Sequence, residues 1–269
     1  MQELSFEDLV TALAAVGLRP GDGLLIHSAV QYLGCPKLTT TTEEGQVADG
    51  AHAGLAMIFD AIQAVITTEQ YEGTLAVPAF NFGFARGEAY DPQSTPAVGM
   101  GAFSEYVRQR PEALRTSHPM QSLAVIGRWA EDLAKRDTAS AFDPGSAFER
   151  MLELDFRLLL LGADIQAVSM LHYSEQKAQA PYRYWKEFNG PVLTPQGLIT
   201  KTYCMFVRDL DIDARIELYP VQAYLEAQGL WASVPLNYGR LASCRLVDFV
   251  AAVDYFLEKD PWSLVINKK

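Results

Sequence analysis

The sharpest chemical signal in the chain is His172-Tyr173-Ser174-Glu175. On a helix, an i,i+3 spacing puts the imidazole and the carboxylate on one face within reach of each other. The carboxylate can then hold one imidazole tautomer. An imidazole oriented in this way can take a proton from an attacking nucleophile, an effect worth about a hundredfold to ten-thousandfold in rate. The competing reading is a solvated helix pair worth ~0.2–0.5 kcal/mol. No second His or Cys stands nearby at ligand spacing, so no metal is expected.

Other residues could act around that pair. His27 follows an apolar run and precedes Ser28, and His118 lies in Arg115-Thr116-Ser117-His118-Pro119, with Ser122 just beyond. Polar groups at buried strand ends need partners in any case, so either histidine can be structural. His52 falls in a polar stretch and is expected to be solvated. Arg86, Arg108, Arg110, Arg115 and Arg128 gather in mid-chain. Dispersed, they are a solvated face; converged, their guanidinium forks suit phosphate.

Several familiar chemistries lack their motifs. Gly99-Met100-Gly101-Ala102-Phe103-Ser104 imitates part of a dinucleotide fingerprint but has serine at the last glycine position and no strand immediately before it. The sequence contains no GxxxxGK[ST], GxSxG or HExxH, which removes the main support for ATPase, ordinary α/β-hydrolase and zincin readings.

The elements that must position these residues follow from periodicity. Ser5 and Asp8, then Leu9, Val10, Leu13 and Ala14, and finally Gly17, predict an N-capped amphipathic helix with a glycine stop. Leu24 to Ile26 predict a short buried strand that ends at His27 and Ser28. Residues 35 to 53, with Thr39 to Thr42, predict an exposed loop, which could cover an acceptor site. Helix and strand then alternate: helix over 55–66, strand over 73–77, helix over 103–109, strand over 123–126, helix over 129–135 and strand over 158–161. Beyond residue 190, Val192-Leu193, a Pro195-Gln196-Gly197 turn and Ile199 to Val207 predict an antiparallel hairpin that makes the sheet mixed. A helix through Val247 to Leu257 ends near Asp260-Pro261. The expected fold class is therefore α/β, a single domain over residues 1–269 with a mixed sheet flanked by helices.

Composition narrows the function. The 269 residues are 49% hydrophobic and 20% charged, as in a folded globular chain. A formal net charge of −11 repels phosphate polyanions, so nucleic acid is not an expected partner. Cys35, Cys204 and Cys244 are widely spaced without a CxxC pattern, which suits a reducing compartment. Glu3, Glu7 and Asp8 stand where an export signal would be basic, and no apolar run approaches the ~20 residues of a membrane span. A cytoplasmic protein without a membrane partner is expected.

Taken together, the segments resemble the antibiotic N-acetyltransferase family typified by aminoglycoside 3-N-acetyltransferases, a fold distinct from the GNAT acetyltransferases. The signposts are Gly21-Asp22 leading to Leu25-Ile26-His27-Ser28, Gly73-Thr74-Leu75 with Pro78 and Phe80, Asp91-Pro92, Thr95-Pro96 and Gly101. They continue through Arg115 to Pro119 with Ser122 and Gly127, then Leu159-Leu160-Leu161-Gly162 and His172 to Glu175. The resemblance spans about residues 5 to 250, and its order and spacing make it specific. It implies an acyl-CoA-dependent N-acyltransferase, with acetyl-CoA the expected donor, and makes His172 and Glu175 the catalytic pair. It also implies that His27, Ser28, Arg115, Thr116, Ser117, His118 and Ser122 lie near the coenzyme. Two departures stand out: many relatives carry hydroxyl residues where this chain has Ala29 and Ala79.

The segment Pro181 to Gly190 looks more like relatives in sugar-modification pathways, so a nucleotide-linked amino sugar is the expected acceptor. Asp91, Tyr182, Arg183 and Lys186 are its expected contacts, with Arg183 and Lys186 pairing to phosphates. A polycationic aminoglycoside is the alternative, favoured by the negative net charge. Direct transfer is expected because no serine or cysteine stands in a nucleophile motif. A Ser/His hydrolase using Ser28 or Ser122, and a non-catalytic CoA- or sugar-binding relative, complete the range.

Overall fold

The computed structural model describes residues 3–36 and 50–267, without the side chains of Cys35 and Pro36. The expected loop over 35–53 therefore lies mostly outside the described residues. Its end is corrected, because a helix already begins at Gly50 and carries His52 in its first turn. There the imidazole packs edge-on against Tyr106, with ring centroids 5.2 Å apart.

In chain order the elements are β1 (Glu3–Leu4), α1 (Phe6–Ala15), β2 (Gly23–Ser28), β3 (Cys35–Pro36), α2 (Gly50–Ile66), β4 (Thr74–Pro78) and α3 (Ala102–Arg108). Then come β5 (Leu114–Arg115), β6 (Leu123–Gly127), α4 (Ala130–Ala134), α5 (Ala147–Glu153), β7 (Arg157–Leu161) and α6 (Leu171–Lys177). The chain continues with β8 (Arg183–Thr194), β9 (Gly197–Arg208), α7 (Tyr219–Ala227), β10 (Ala232–Leu236), β11 (Gly239–Arg245) and α8 (Leu246–Lys259). Local chemistry starts the first helix as expected: Ser5 Oγ accepts from Asp8 N at 3.1 Å while Asp8 Oδ2 accepts from Ser5 N at 3.2 Å, a reciprocal capping box.

Seven strands form the main sheet in the order β10-β11-β7-β2-β4-β6-β5. β7, β2 and β4 run parallel, whereas β6 and β11 pair antiparallel to their inner neighbours. The sheet is thus mixed, but for a different reason from the one the sequence suggested. The hairpin β8–β9 stands apart as its own two-stranded sheet, and in the main sheet β6 and β11 run against the central strands, with β5 and β10 antiparallel to them in turn.

Alternation along the central strands explains the layering. Leu24, Ile26, Leu75, Val77, Leu159 and Leu161 pack toward α1, α2 and α3, while Leu25, Ala76, Leu158 and Leu160 pack toward α4 to α8. Both faces are covered, so these strands read as unbroken apolar runs rather than as a polar alternation. Each fully buried Leu, Ile or Phe contributes about 1.5–3 kcal/mol. Gly101 caps α3 at φ +85°, and a Cβ there would meet the Ser28 carbonyl at 3.2 Å. The glycine of the Gly99–Ser104 segment thus serves a close crossing over the end of β2. Among the described residues no helix is long and apolar enough to cross a membrane.

The hairpin lies against the body through backbone bonds: Tyr90 N to Pro191 O at 2.9 Å, Leu193 N to Tyr90 O at 2.8 Å and Cys204 N to Ala139 O at 2.7 Å. Val192 and Tyr203 from the hairpin complete a small core with Phe84, Tyr90 and Met120. This packing brings the end of β9 over the carboxyl ends of β2 and β4, the edge of an α/β sheet where ligands commonly bind.

Candidate active site

A connection with a short 3-10 helix at Ile165–Ala167 joins β7 to α6, whose i,i+3 geometry produces the expected pair. His172 Nδ1 lies 2.7 Å from Glu175 Oε2. A buried carboxylate can only accept, so Nδ1 carries the proton and Nε2 the lone pair. The Glu175 side chain is fully buried and that of His172 is 34% exposed, so the acceptor of the pair is shielded while the ring reaches the surface of a cavity. Burial pushes the Glu175 pKa up, but the hydrogen bond from His172 and the charges of His172 and Arg183 outweigh it, and the carboxyl lies below its ordinary range.

The cavity has a volume of about 300 Å³. Phe80, Phe82, Met100, Phe142, Met205 and Phe206 supply its apolar wall, with His172, Gln121, Arg183, Val207 and Arg208 completing it. Phe142 stands edge-on to His172, ring centroids 6.0 Å apart. The loop carrying Phe142 is fixed to α6 by Ser140 Oγ donating to Gln176 Oε1 at 2.7 Å and by Gln176 Nε2 donating to Asp143 Oδ1 at 2.8 Å. Most of these lining residues are missed by motif reasoning, because apolar side chains after strand ends carry no distinguishing pattern. Phe80, quoted within the resemblance, is the apolar exception, and His172 and Arg183 are the polar lining residues named from the sequence.

Arg183, an expected acceptor contact, borders the cavity and is also held by the pair. One terminal nitrogen lies 2.8 Å from Glu175 Oε2 and the other donates to the Phe206 carbonyl at 3.1 Å, with the side chain 11% exposed. The other expected acceptor contacts do not border the cavity. Tyr182 is buried behind Glu175 and packs on Trp262. Lys186 is exposed on β8 with its ammonium 5.3 Å from the Phe188 ring. Asp91 closes a turn by accepting from Ser94 Oγ at 2.6 Å and Gln93 N at 2.9 Å.

The segment after β5 is turned inward. Arg115 donates to the carbonyls of Thr95 and Ala79 and to Ser122 Oγ, and its guanidinium lies 5.4 Å from the Tyr90 ring centre. Thr116 Oγ1 accepts from Leu123 N at 2.8 Å, Ser122 Oγ donates to Ala79 O at 3.0 Å, and Ser117 Oγ reaches Ala134 O at 3.4 Å. His118 Nδ1 accepts from Gln121 N at 3.1 Å, which leaves Nε2–H facing Cys204 O at 3.3 Å. These groups brace the cavity wall and tie it to the hairpin.

His27 is buried beside Ser169, with both Ser169 N and Oγ 3.4 Å from Nε2. Burial pushes the pKa of His27 down to about 4 and that of His118 down to about 4, so both imidazoles are neutral near pH 7. Ser28 differs from its neighbours: its Oγ is buried without a hydrogen-bond partner among the described residues, beside Gly101.

Of the five mid-chain arginines, Arg108, Arg110 and Arg115 converge on a groove of about 590 Å³ with Gln93, Ser94 and Gln109. Arg108 and Arg110 are paired there to Glu105 at 2.6 Å and to Glu112 at 2.9 Å. Arg86 pairs with Glu88 and Arg128 covers the Trp129 ring, so those two do not join the groove.

Known proteins share this architecture and sequence. The chain is 26% identical over 273 residues to an aminoglycoside N(3)-acetyltransferase III of Salmonella, covering 93% of this chain and 90% of that one. It superposes with a TM-score of 0.80 on the AAC-IIIb acetyltransferase solved with CoASH, at 22% identity, covering 96% of this chain and 97% of that one. With AAC(3)-IVa in complex with apramycin the TM-score is 0.73 at 24% identity, covering 98% of this chain and 96% of that one. The family model for aminoglycoside 3-N-acetyltransferases matches residues 44–258. By that match, and with the paired His172 and Glu175 on the fold those structures share, the chain belongs to the aminoglycoside 3-N-acetyltransferase family.

Proposed function

We propose that the protein is an acetyl-CoA-dependent N-acetyltransferase of a single domain, with an aminoglycoside amine as acceptor and His172 as general base. The observation that carries this reading is the 2.7 Å contact between His172 Nδ1 and the buried Glu175 carboxylate, on a ring that borders the cavity. The relatives are aminoglycoside N-acetyltransferases, which moves the preferred acceptor from the nucleotide-linked amino sugar expected from Pro181 to Gly190 to an aminoglycoside.

An acceptor amine is largely ammonium at neutral pH and must lose a proton to attack a thioester carbonyl. His172 Nε2 takes that proton, and Glu175 holds the tautomer and stabilises the imidazolium formed. The apolar wall of Phe80, Met100, Phe142 and Met205 suits the uncharged acyl thioester end of the donor and excludes water that would compete with the amine. Ser28 Oγ, buried with an unengaged hydroxyl at the end of β2, is the side-chain candidate for the developing oxyanion. His27, Arg115, Thr116, Ser117, His118 and Ser122 support the coenzyme side of the site by fixing the strand ends and the loop that surround it.

A second reading of the acceptor has its own observation. Among the described residues the cavity is lined by Arg183 and Arg208 and by no Asp or Glu, and Arg208 is 47% exposed and lies 3.8 Å from the Asp213 carboxylate. An amino sugar carrying an anionic group would meet a cation there.

One experiment separates these readings: thiol release from acetyl-CoA with gentamicin, apramycin, sisomicin and nucleotide-linked amino sugars, run beside His172→Ala. Release with the aminoglycosides that falls at least about a hundredfold in the variant supports the main reading. Release restricted to the nucleotide-linked sugars supports the second. Thiol release that needs no amine, or that survives His172→Ala, overturns the proposed general base.

A further inference from the structure

The contacts that hold the catalytic pair use one carboxylate oxygen only. Glu175 Oε2 takes both His172 Nδ1 at 2.7 Å and Arg183 at 2.8 Å, whereas Oε1 is buried with no hydrogen-bond partner among the described residues. The hydroxyl of Tyr182 is buried without a partner as well, on a residue only 1% exposed. Leaving a buried donor and a buried acceptor both unpaired costs about 1–3 kcal/mol for each group, and more for a charged one. A single interaction between them removes both penalties.

The backbone explains why the two groups share one space. Ala180 N donates to the Glu175 carbonyl at 3.0 Å and Arg183 N to the Ala180 carbonyl at 3.1 Å, so the turn leaving α6 folds residues 180–183 back over the helix end. That turn delivers Arg183 to Oε2. Tyr182, one residue earlier, is wedged between Glu175 and the Trp262 ring, whose centre is 5.4 Å from its own. Burial, together with the negative charge of Glu175, raises the phenol pKa, so at neutral pH Tyr182 can act toward the carboxylate only as a donor. The charged or titratable groups acting on Glu175 are His172 from its own helix and Tyr182 and Arg183 from the turn into β8.

We propose that Tyr182 is a positioning residue of the transferase: its hydroxyl donates to Glu175 Oε1, directly or across one buried water, and fixes the carboxylate plane so that Oε2 faces His172 Nδ1. Arg183 and Tyr182 then hold one oxygen each, and the carboxylate cannot rotate away from the imidazole. This inference rests on the proposed His172–Glu175 base.

Replacing Tyr182→Phe frees Oε1. A carboxylate relieved of one donor is more basic and holds an imidazolium more strongly, while its looser orientation slows proton transfer. The expected result is a kcat about tenfold lower, the equivalent of one hydrogen bond to a charged group. KM for acetyl-CoA and for the amine stays within about twofold, and the acid limb of the kcat/KM profile moves to higher pH. In a second variant, Tyr182→3-fluorotyrosine, the shape is nearly kept and the phenol is a stronger donor, so the acid limb moves to lower pH. Wild-type kcat and an unmoved acid limb in both variants, with only the melting temperature changed, overturn the inference. Should Tyr182→Phe fail to fold, the fluorinated variant decides alone by the direction of its limb. His172→Ala is assayed alongside: an active His172→Ala refutes the base itself, whereas an inactive one beside wild-type Tyr182 variants overturns only the role given to Tyr182.

Discussion

Replacing Glu175→Gln tests the site most directly, because nearly the same volume is retained while the charge is lost. Oε2 of Glu175 accepts from His172 Nδ1 at 2.7 Å and from Arg183 at 2.8 Å, in a side chain with no exposure to water. A glutamine can offer its oxygen to both donors, which keeps the tautomer but loses the charge that stabilises the imidazolium. It can instead turn its amide nitrogen toward Nδ1, which forces the proton onto Nε2 and abolishes the base; that nitrogen would also face Arg183, another donor. For the analogous carboxylate-to-amide change in a Ser-His-Asp triad the loss is about 10⁴ in kcat. Here the oxygen-in placement is favoured by Arg183 and keeps the tautomer, so a smaller loss of about 10²–10³ is expected.

Stability responds separately. The Arg183 guanidinium is 11% exposed and loses its ionic partner, and breaking a buried pair costs about 3–5 kcal/mol. At about 2–4 °C per kcal/mol for a chain of this size, the melting temperature should fall by roughly 6–20 °C. Thiol release at saturating acetyl-CoA and acceptor reads the first effect, and a melting curve at pH 7.5 the second. A Glu175→Gln protein that stays folded and keeps kcat within tenfold of wild type would refute the orientation argument. An unchanged melting temperature would refute the buried ion pair.

Further expectations follow from burial and backbone geometry. His27 and His118 have folded pKa values pushed down to about 4 from an ordinary 6.5, so between those values the unfolded chain binds more protons than the folded one. Their stabilising effect is complete above pH 6.5 and declines as the pH falls toward 4, at up to about 1.4 kcal/mol per pH unit for each histidine. Glu175, depressed below its ordinary range, adds its own loss only as the pH falls through that lower value. Urea midpoints measured from pH 8 to pH 5 check the slope, and a flat profile between pH 6.5 and 5 contradicts it. Gly127 sits at φ +109°, and a Cβ there would stand 2.1 Å from the Gly73 carbonyl, so Gly127→Ala should destabilise by about 2–6 kcal/mol or prevent folding. Wild-type chemical stability of that variant would show that the junction of β4 and β6 can yield.

What the sequence by itself determined is the set of features governed by neighbours along the chain. The capping box of Ser5 and Asp8, the apolar runs of β2, β4 and β7 and the His172–Glu175 pair each depend on one to four residues of separation. Helix and strand geometry fixes these contacts before any tertiary packing. The order of the short motifs also pointed to the family that the model match over residues 44–258 bears out.

Tertiary structure decided which side chains those elements would meet. Arg183 has the same flexible cation whether it faces a phosphate or a carboxylate, and only the turn from α6 into β8, with its burial, gives it to Glu175. Alternation in β8 and β9 predicts a hairpin equally well inside or outside the main sheet, and the contacts with Tyr90 and Ala139, distant in sequence, place it outside. Spacing along the chain likewise gives no sign that Arg115 and Ser122 bond the Ala79 carbonyl just past β4, or that His118 faces the Cys204 carbonyl of the hairpin. A polar side chain's spacing records what it can reach along its own element, whereas the partner it keeps is set by which other segments exclude water around it.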